Sequence, residues 1–200
     1  MNMDKKYLLN VMTSGEAAMH AIDQNKFGKT FFHLGPPKDN SLFEKQKDNK
    51  TEIEKCDYIL CTGLFDDHED DLNYYRKILK KQISKKLVCT NPDLTVHRGN
   101  VEELCAGSVA KVFEELGGEV IYYGKPHKEI YSSCFDRNEK VLAIGDNLRT
   151  DIKGANNLNI DSIFITEGVH RQEIGDISKL DALLTKYKVK TNFFQKELTW

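Results

Sequence analysis

Short apolar runs recur along this chain, most of them closed by a turn signal, with amphipathic stretches between them. Thr30–Leu34, Tyr58–Thr62, Leu87–Thr90, Val120–Tyr123, Val141–Ile144 and Ser162–Thr166 have the length and apolar density of buried strands. Glu16–Gln24 sets Ala17, Ala18, Ala21 and Ile22 on one side, a helical spacing. Leu72–Ile83, Ala106–Leu116, Lys128–Phe135, Asp151–Leu158 and Asp176–Tyr187 read as further helices, and Gly117-Gly118 stops the second of these. Tyr7–Met12 is a short apolar run leading into Thr13-Ser14-Gly15. Lys38–Lys55 is highly charged and poor in large apolar residues, which predicts a surface loop or frayed helix. Phe65–Asp71 is an acidic loop. Phe193, Phe194 and Trp200 in the polar tail read as packing contacts. Strands alternating with helices predict a parallel α/β sheet.

Composition narrows the function. A net charge of −2 over 200 residues points to neither nucleic acid nor an anionic membrane as partner. No long apolar run or signal peptide is evident, so the expectation is a soluble, cytoplasmic chain. The five cysteines form no C-x-x-C pair and read as reduced, buried residues.

The candidate chemistry lies in Val141–Asp151, which reads as a strand, a turn carrying Asp146 and Asp151, and then a helix. Open α/β sheets build sites at the carboxyl ends of their strands. Two carboxylates there, with waters completing the shell, suit Mg²⁺. Lys125 follows a strand between Gly124 and Pro126, in reach of a phosphate oxygen. A phosphoryl group in transfer carries negative charge that a cation and a metal stabilise. On this reading Asp146 ligates the metal directly, Asp151 ligates through water or orients the neighbours of Asp146, and Asn147 and Thr150 supply hydrogen bonds. Taken singly, Asp146 also suits a helix start and Asp151 a helix dipole. The six histidines show no metal-ligand spacing, although His127 and His170 flank the candidate segments. No Ser-His-Asp set, Walker A loop or zinc motif is present.

Gly124-Lys125-Pro126, followed by Ile144-Gly145-Asp146-Asn147-Leu148-Arg149-Thr150-Asp151-Ile152-Lys153-Gly154-Ala155, resembles the third and fourth motifs of the haloacid dehalogenase superfamily. Cys89-Thr90-Asn91-Pro92-Asp93, with Cys105-Ala106-Gly107-Ser108, resembles the subfamily IIA, NagD-like branch, and Thr13-Ser14-Gly15 resembles the entry into its cap. The resemblance runs over about residues 11–175. It implies an α/β fold: the C-terminal part of a Rossmannoid core with an α/β C2-type cap, cap over 1–104 and core over 105–200. It also implies Mg²⁺-dependent hydrolysis of a small phosphorylated metabolite, with Lys125 catalytic, Asp146 and Asp151 on the metal, and Asn91, Asp93 and Asn147 toward the substrate.

One departure matters. The family attacks with an aspartate in a D-x-D triplet ahead of the cap, and a Thr or Ser motif follows it there. The chain begins near the cap entry and holds no such triplet, so the resemblance implies an N-terminally truncated protein without a nucleophile. Asn91-Pro92-Asp93 imitates the triplet, but an amide cannot form the aspartyl-phosphate. The isolated chain is then expected to be inactive: the C-terminal half of a split enzyme, or a non-catalytic remnant or binding module. A separate N-terminal half or a homodimer is the expected partner. Val141–Ile144 is expected to show an unpaired edge and an uncovered apolar face. A receiver-like signalling domain also groups acids and a Lys around Mg²⁺, but the Asn-Pro-Asp signature speaks against it.

Overall fold

The computed structural model describes residues 11–98, 101–136 and 138–199. The chain forms two compact units, Met1–Gly124 and Lys125–Trp200. The apolar run at residues 7–10 lies outside the described residues.

The first unit begins with α1 (Ser14–Asp23), whose Thr13 hydroxyl caps it by accepting the Glu16 amide at 3.1 Å. There follow β1 (Phe31–Leu34), a run of 3-10 turns over Pro37–Asn49, β2 (Tyr58–Cys61), α2 (Leu72–Leu79) and β3 (Lys86–Cys89). A hairpin of β4 (Thr95–Arg98) and β5 (Val101–Leu104), then α3 (Ala106–Glu115) and β6 (Glu119–Tyr122), complete the unit. The sheet order is β1-β2-β3-β6, all parallel. Parallel neighbours need crossovers, which α2 and α3 supply. Ile59, Cys61, Leu87 and Cys89 face Tyr75, Leu79, Val109, Ala110 and Phe113 in one core cluster. In Tyr58–Cys61 every residue is buried, so both faces are covered. Phe31 lies among the rings of Phe43 and Tyr58, at 5.1 and 5.9 Å. Each fully buried side chain of this size contributes roughly 1.5–3 kcal/mol. Phe43 explains why Lys38–Lys55 is not a simple surface loop: its single large aromatic is 2% exposed and anchors the charged turns.

The two compact units divide after Gly124. α3 packs on β2, β3 and β6, and β6 pairs with β3, so residues 106–122 belong to the first sheet.

The second unit comprises α4 (Lys128–Tyr131), β7 (Leu142–Gly145), a π-helical turn (Leu148–Ile152), α5 (Lys153–Leu158), β8 (Asp161–Ile165), α6 (Arg171–Ile174), α7 (Leu180–Tyr187) and β9 (Phe193–Gln195). Its sheet is parallel, in the order β7-β8-β9. Leu148, Ile152, Phe164, Ile174, Leu180 and Leu183 form its core. Asn159 and Lys188 end α5 and α7 in the left-handed conformation, at φ of 56° and 54°. The helices expected over Lys128–Phe135, Asp151–Leu158 and Asp176–Tyr187 are each shorter or interrupted. Asp176, for one, caps a separate 3-10 turn by accepting the Ser178 amide.

Among the described residues β7 has no partner on its outer side. Leu142 and Ile144, two apart and therefore on one face, are 46% and 38% exposed. Among the described residues this edge of β7 is open and the Leu142–Ile144 face is exposed. No described helix is long and apolar enough to cross a membrane.

Candidate active site

The parallel register aligns the carboxyl ends of β7, β8 and β9, and Asp146 is the first residue beyond β7. The turn after it is wound tightly because the Asn147 carbonyl accepts the amides of Asp151 and Ile152 at 2.9 and 3.2 Å. The Asn147 side-chain carbonyl caps the same turn by accepting the Arg149 amide at 2.9 Å. This winding folds Asp151 back beneath the strand end. A Cβ on Gly145 would stand 2.3 Å from the Asp151 Cβ, so only glycine fits there.

Asp151 is 9% exposed, and both its oxygens are engaged. Oδ1 accepts the Lys125 Nζ at 2.5 Å, and Oδ2 accepts the Asn147 amide at 3.1 Å. Lys125 stays half exposed, so the pair holds its ammonium at the site while leaving it accessible. Asp146 is placed differently. Its Oδ2 accepts the Val169 amide at 3.1 Å, and Oδ1 makes no hydrogen bond among the described residues. A Cβ on Gly168 would collide with Asp146, so the 168–169 backbone passes flush against this carboxylate. The donor chemistry suits a hard cation: one carboxylate oxygen of Asp146 is free for direct ligation, and Asp151 belongs to the turn that follows it. Among the described residues no group of three or more His, Cys, Asp or Glu is gathered for a metal. Burial and the nearby Asp151 raise the Tyr131 phenol to about 12, so it stays neutral.

Lys125, Asp146, Asn147 and Asp151 thus converge in the second unit. Asn147 is committed through its side-chain carbonyl to the turn, and its NH₂ makes no hydrogen bond among the described residues. Asn91 and Asp93 belong to the first unit, in the loop beyond β3. The Asn91 side chain accepts the Asp93 amide at 3.1 Å, and the Asp93 carbonyl accepts the Gly107 amide at 3.1 Å. A Cβ on Gly107 would meet Pro92 O at 2.3 Å, so glycine lets α3 seat this loop.

A hollow of about 1070 Å³ in the second unit lies at the opposite end of β8 beside Asp161 and Lys190 and touches none of the site residues. The first unit has its own cleft of about 460 Å³ beside His33, Lys50, His68 and Tyr74. His33 is buried there and bonded to the Thr62 hydroxyl at 2.9 Å. Burial, reinforced by Lys50, lowers its imidazole to about 4. Sequence reasoning left His170 as a flanking residue, yet it is 1% exposed and accepts the Leu148 amide at 3.2 Å. Its position after Gly168-Val169 was the only signal.

A family model described as HAD-hydrolase-like matches residues 122–187. Ribonucleotide monophosphatase NagD of Escherichia coli is 28% identical over 88 residues, 42% of this chain and 34% of NagD. The chain therefore spans about a third of that relative's length in the match. A haloacid dehalogenase-like hydrolase from Brucella suis is 32% identical with a TM-score of 0.65, covering 80% of this chain and 65% of that one. 4-Nitrophenylphosphatase from Thermotoga maritima is 26% identical with a TM-score of 0.66, covering 94% and 69%.

Proposed function

We propose that the chain is a member of the haloacid dehalogenase-like superfamily, in its NagD-like branch, and supplies the lysine-and-acid half of a Mg²⁺-dependent phosphomonoesterase. The observation that carries this is the Lys125–Asp151 pair at 2.5 Å beside Asp146, whose Oδ1 is unbonded, at the carboxyl end of β7. Asp146 would hold Mg²⁺ directly, and Asp151, which holds Lys125, would support it through water. Lys125 donates to a phosphoryl oxygen as charge builds there. Mg²⁺, when bound, would supply further neutralisation of the phosphoryl charge. The resemblance assigns Asn91 and Asp93, in the first unit, to recognition of a small phosphorylated metabolite. Five free cysteines agree with a reducing, cytoplasmic setting.

The attacking carboxylate is the open part of the site. No Asp-x-Asp triplet occurs in the 200 residues. The bare edge of β7 supports an extra strand there, whose carboxyl end would bring an acid beside Asp146. A segment outside these 200 residues, or a second copy, is the proposed donor of that strand. The isolated chain then binds metal without turnover.

Hydrolysis of p-nitrophenyl phosphate with Mg²⁺ tests this, with the chain measured beside Asp146→Ala. The expected result is no turnover by either protein, with Mn²⁺ broadening the resonances of the 146–152 turn only in the wild type. Turnover that disappears in Asp146→Ala would show that an acid of this chain attacks, against the incomplete-site reading. Absence of Mn²⁺ broadening in the wild type would remove the metal role.

A further inference from the structure

We infer that His170 is a positioning residue: as the neutral tautomer protonated on Nδ1, and oriented by Glu173, it fixes the turn that aims Asp146 and Asp151. This rests on the reading of those two acids as the metal and phosphoryl site.

The tautomer follows from its partners. The Leu148 amide can only donate, so Nε2, 3.2 Å away, must present a lone pair. The other nitrogen, Nδ1, lies 2.7 Å from Glu173 Oε1. Hydrogen bonds from Lys186, His170 and Tyr187 lower the Glu173 carboxyl to about 2, so it is an acceptor and Nδ1 carries the proton. The tyrosine hydroxyl reaches Glu173 at 2.9 Å and Lys186 reaches it at 2.6 Å. That hydroxyl also accepts from Arg149 Nη2 at 2.9 Å, and the guanidinium lies 5.0 Å over the Tyr187 ring.

The connections close on themselves. Two successive residues of the turn are gripped, Leu148 by its amide through His170 and Arg149 by its side chain through Tyr187, and both routes meet at Glu173. The segment bearing His170 also donates the Val169 amide to Asp146. Residues 169–173 therefore hold Asp146, Leu148 and Arg149 together. The imidazole sits between the rings of Tyr187 and Phe164, at 4.8 and 6.4 Å, which leaves it little freedom to rotate. Leu148 has no alternative acceptor in water, being fully buried. A donor without an acceptor there would move the turn rather than remain unbonded.

The test is nitrogen NMR of the full chain with two variants. His170→Gln places a carbonyl near the Nε2 position, whereas His170→Asn is too short to reach Leu148. In the wild type near neutral pH, Nε2 is expected unprotonated and Nδ1 protonated. His170→Asn should speed Leu148 amide exchange by about tenfold or more. It should also shift the Asp146 and Asp151 amides and weaken Mn²⁺ binding by about tenfold. His170→Gln should return all three toward wild type, which a role in bulk packing would not predict. A protonated Nε2, or an Asn variant identical to wild type across residues 146–151, would overturn the inference. If the wild-type turn ignores Mn²⁺ while the tautomer and the Leu148 effect hold, the phosphoryl reading fails and the positioning of the carboxylates stands.

Discussion

Replacing Gly145 by alanine adds one methyl group where the turn folds back on β7. The new carbon would lie 2.3 Å from Asp151 Cβ, 2.4 Å from Cγ and 2.5 Å from Oδ2. Carbon atoms settle at about 3.5–4.0 Å, so something must move by more than about 1 Å. Side-chain rotation cannot relieve a collision with Cβ, so the turn itself must yield. Gly145 has no positive φ, and the whole effect is therefore steric. Overpacking of this kind costs about 1–3 kcal/mol. Displacing Asp151 also strains its bonds to Lys125 and the Asn147 amide, of which the half-exposed lysine pair contributes at most about 1 kcal/mol after solvent screening. A total of about 2–4 kcal/mol in a unit of this size lowers its melting temperature by roughly 10 °C or more. Calorimetry of the full chain, with amide spectra of Asn147 and Asp151, measures it. Gly117→Ala is the control. At φ of 92° with nothing within 4 Å of the added carbon, it carries backbone strain alone and should leave the turn spectra unchanged. Melting within about 2 °C of wild type, with Asn147 and Asp151 unmoved, would refute the steric reasoning.

His33 makes the first unit sensitive to acid. Its folded pKa of about 4 lies below the unfolded 6.5, so the unfolded chain binds the proton first and stability falls as pH drops from 6.5 toward 4. After allowing for water in the adjoining cleft, the loss should be about 2 kcal/mol. Urea titrations across that window should show it, and His33→Gln should flatten the slope; equal slopes would contradict the assignment. Phe164→Ala, at a fully buried position of the second core, should cost about 3–5 kcal/mol in denaturant unfolding. A loss under about 1 kcal/mol would mean that this core is already loose. Leu142→Lys with Ile144→Lys charges the bare face of β7 and should abolish concentration-dependent self-association in sedimentation. Self-association that survives both lysines would locate it elsewhere.

Much of the sheet was legible because local rules govern it. Tyr58–Cys61 and Lys86–Cys89 are uniformly apolar, and Asp71 caps α2 where the helical pattern starts. Gly145-Asp146 after an apolar strand is enough to place a carboxylate at a strand end, and Lys125 pairs with Asp151 of the turn that follows. β9 was not legible. Phe193–Gln195 is too short and too polar at its flanks to read as a strand, and it is held by Asn192 reaching back to the Ser162 amide at 3.0 Å. The β4–β5 hairpin was equally hidden, and the division after Gly124 depends on which sheet α3 covers.

The sequence alone determined the alternation of strands and helices, the parallel sheet and the identity of the acids, because periodicity, capping and turn chemistry act over a few residues. Tertiary structure decided which donor meets which acceptor. It bound both oxygens of Asp151 and left one oxygen of Asp146 unbonded. It also set His170 under Leu148, 22 positions away along the chain. Those pairings depend on how β7, β8 and the 168–173 segment pack, and no local pattern carries that distance.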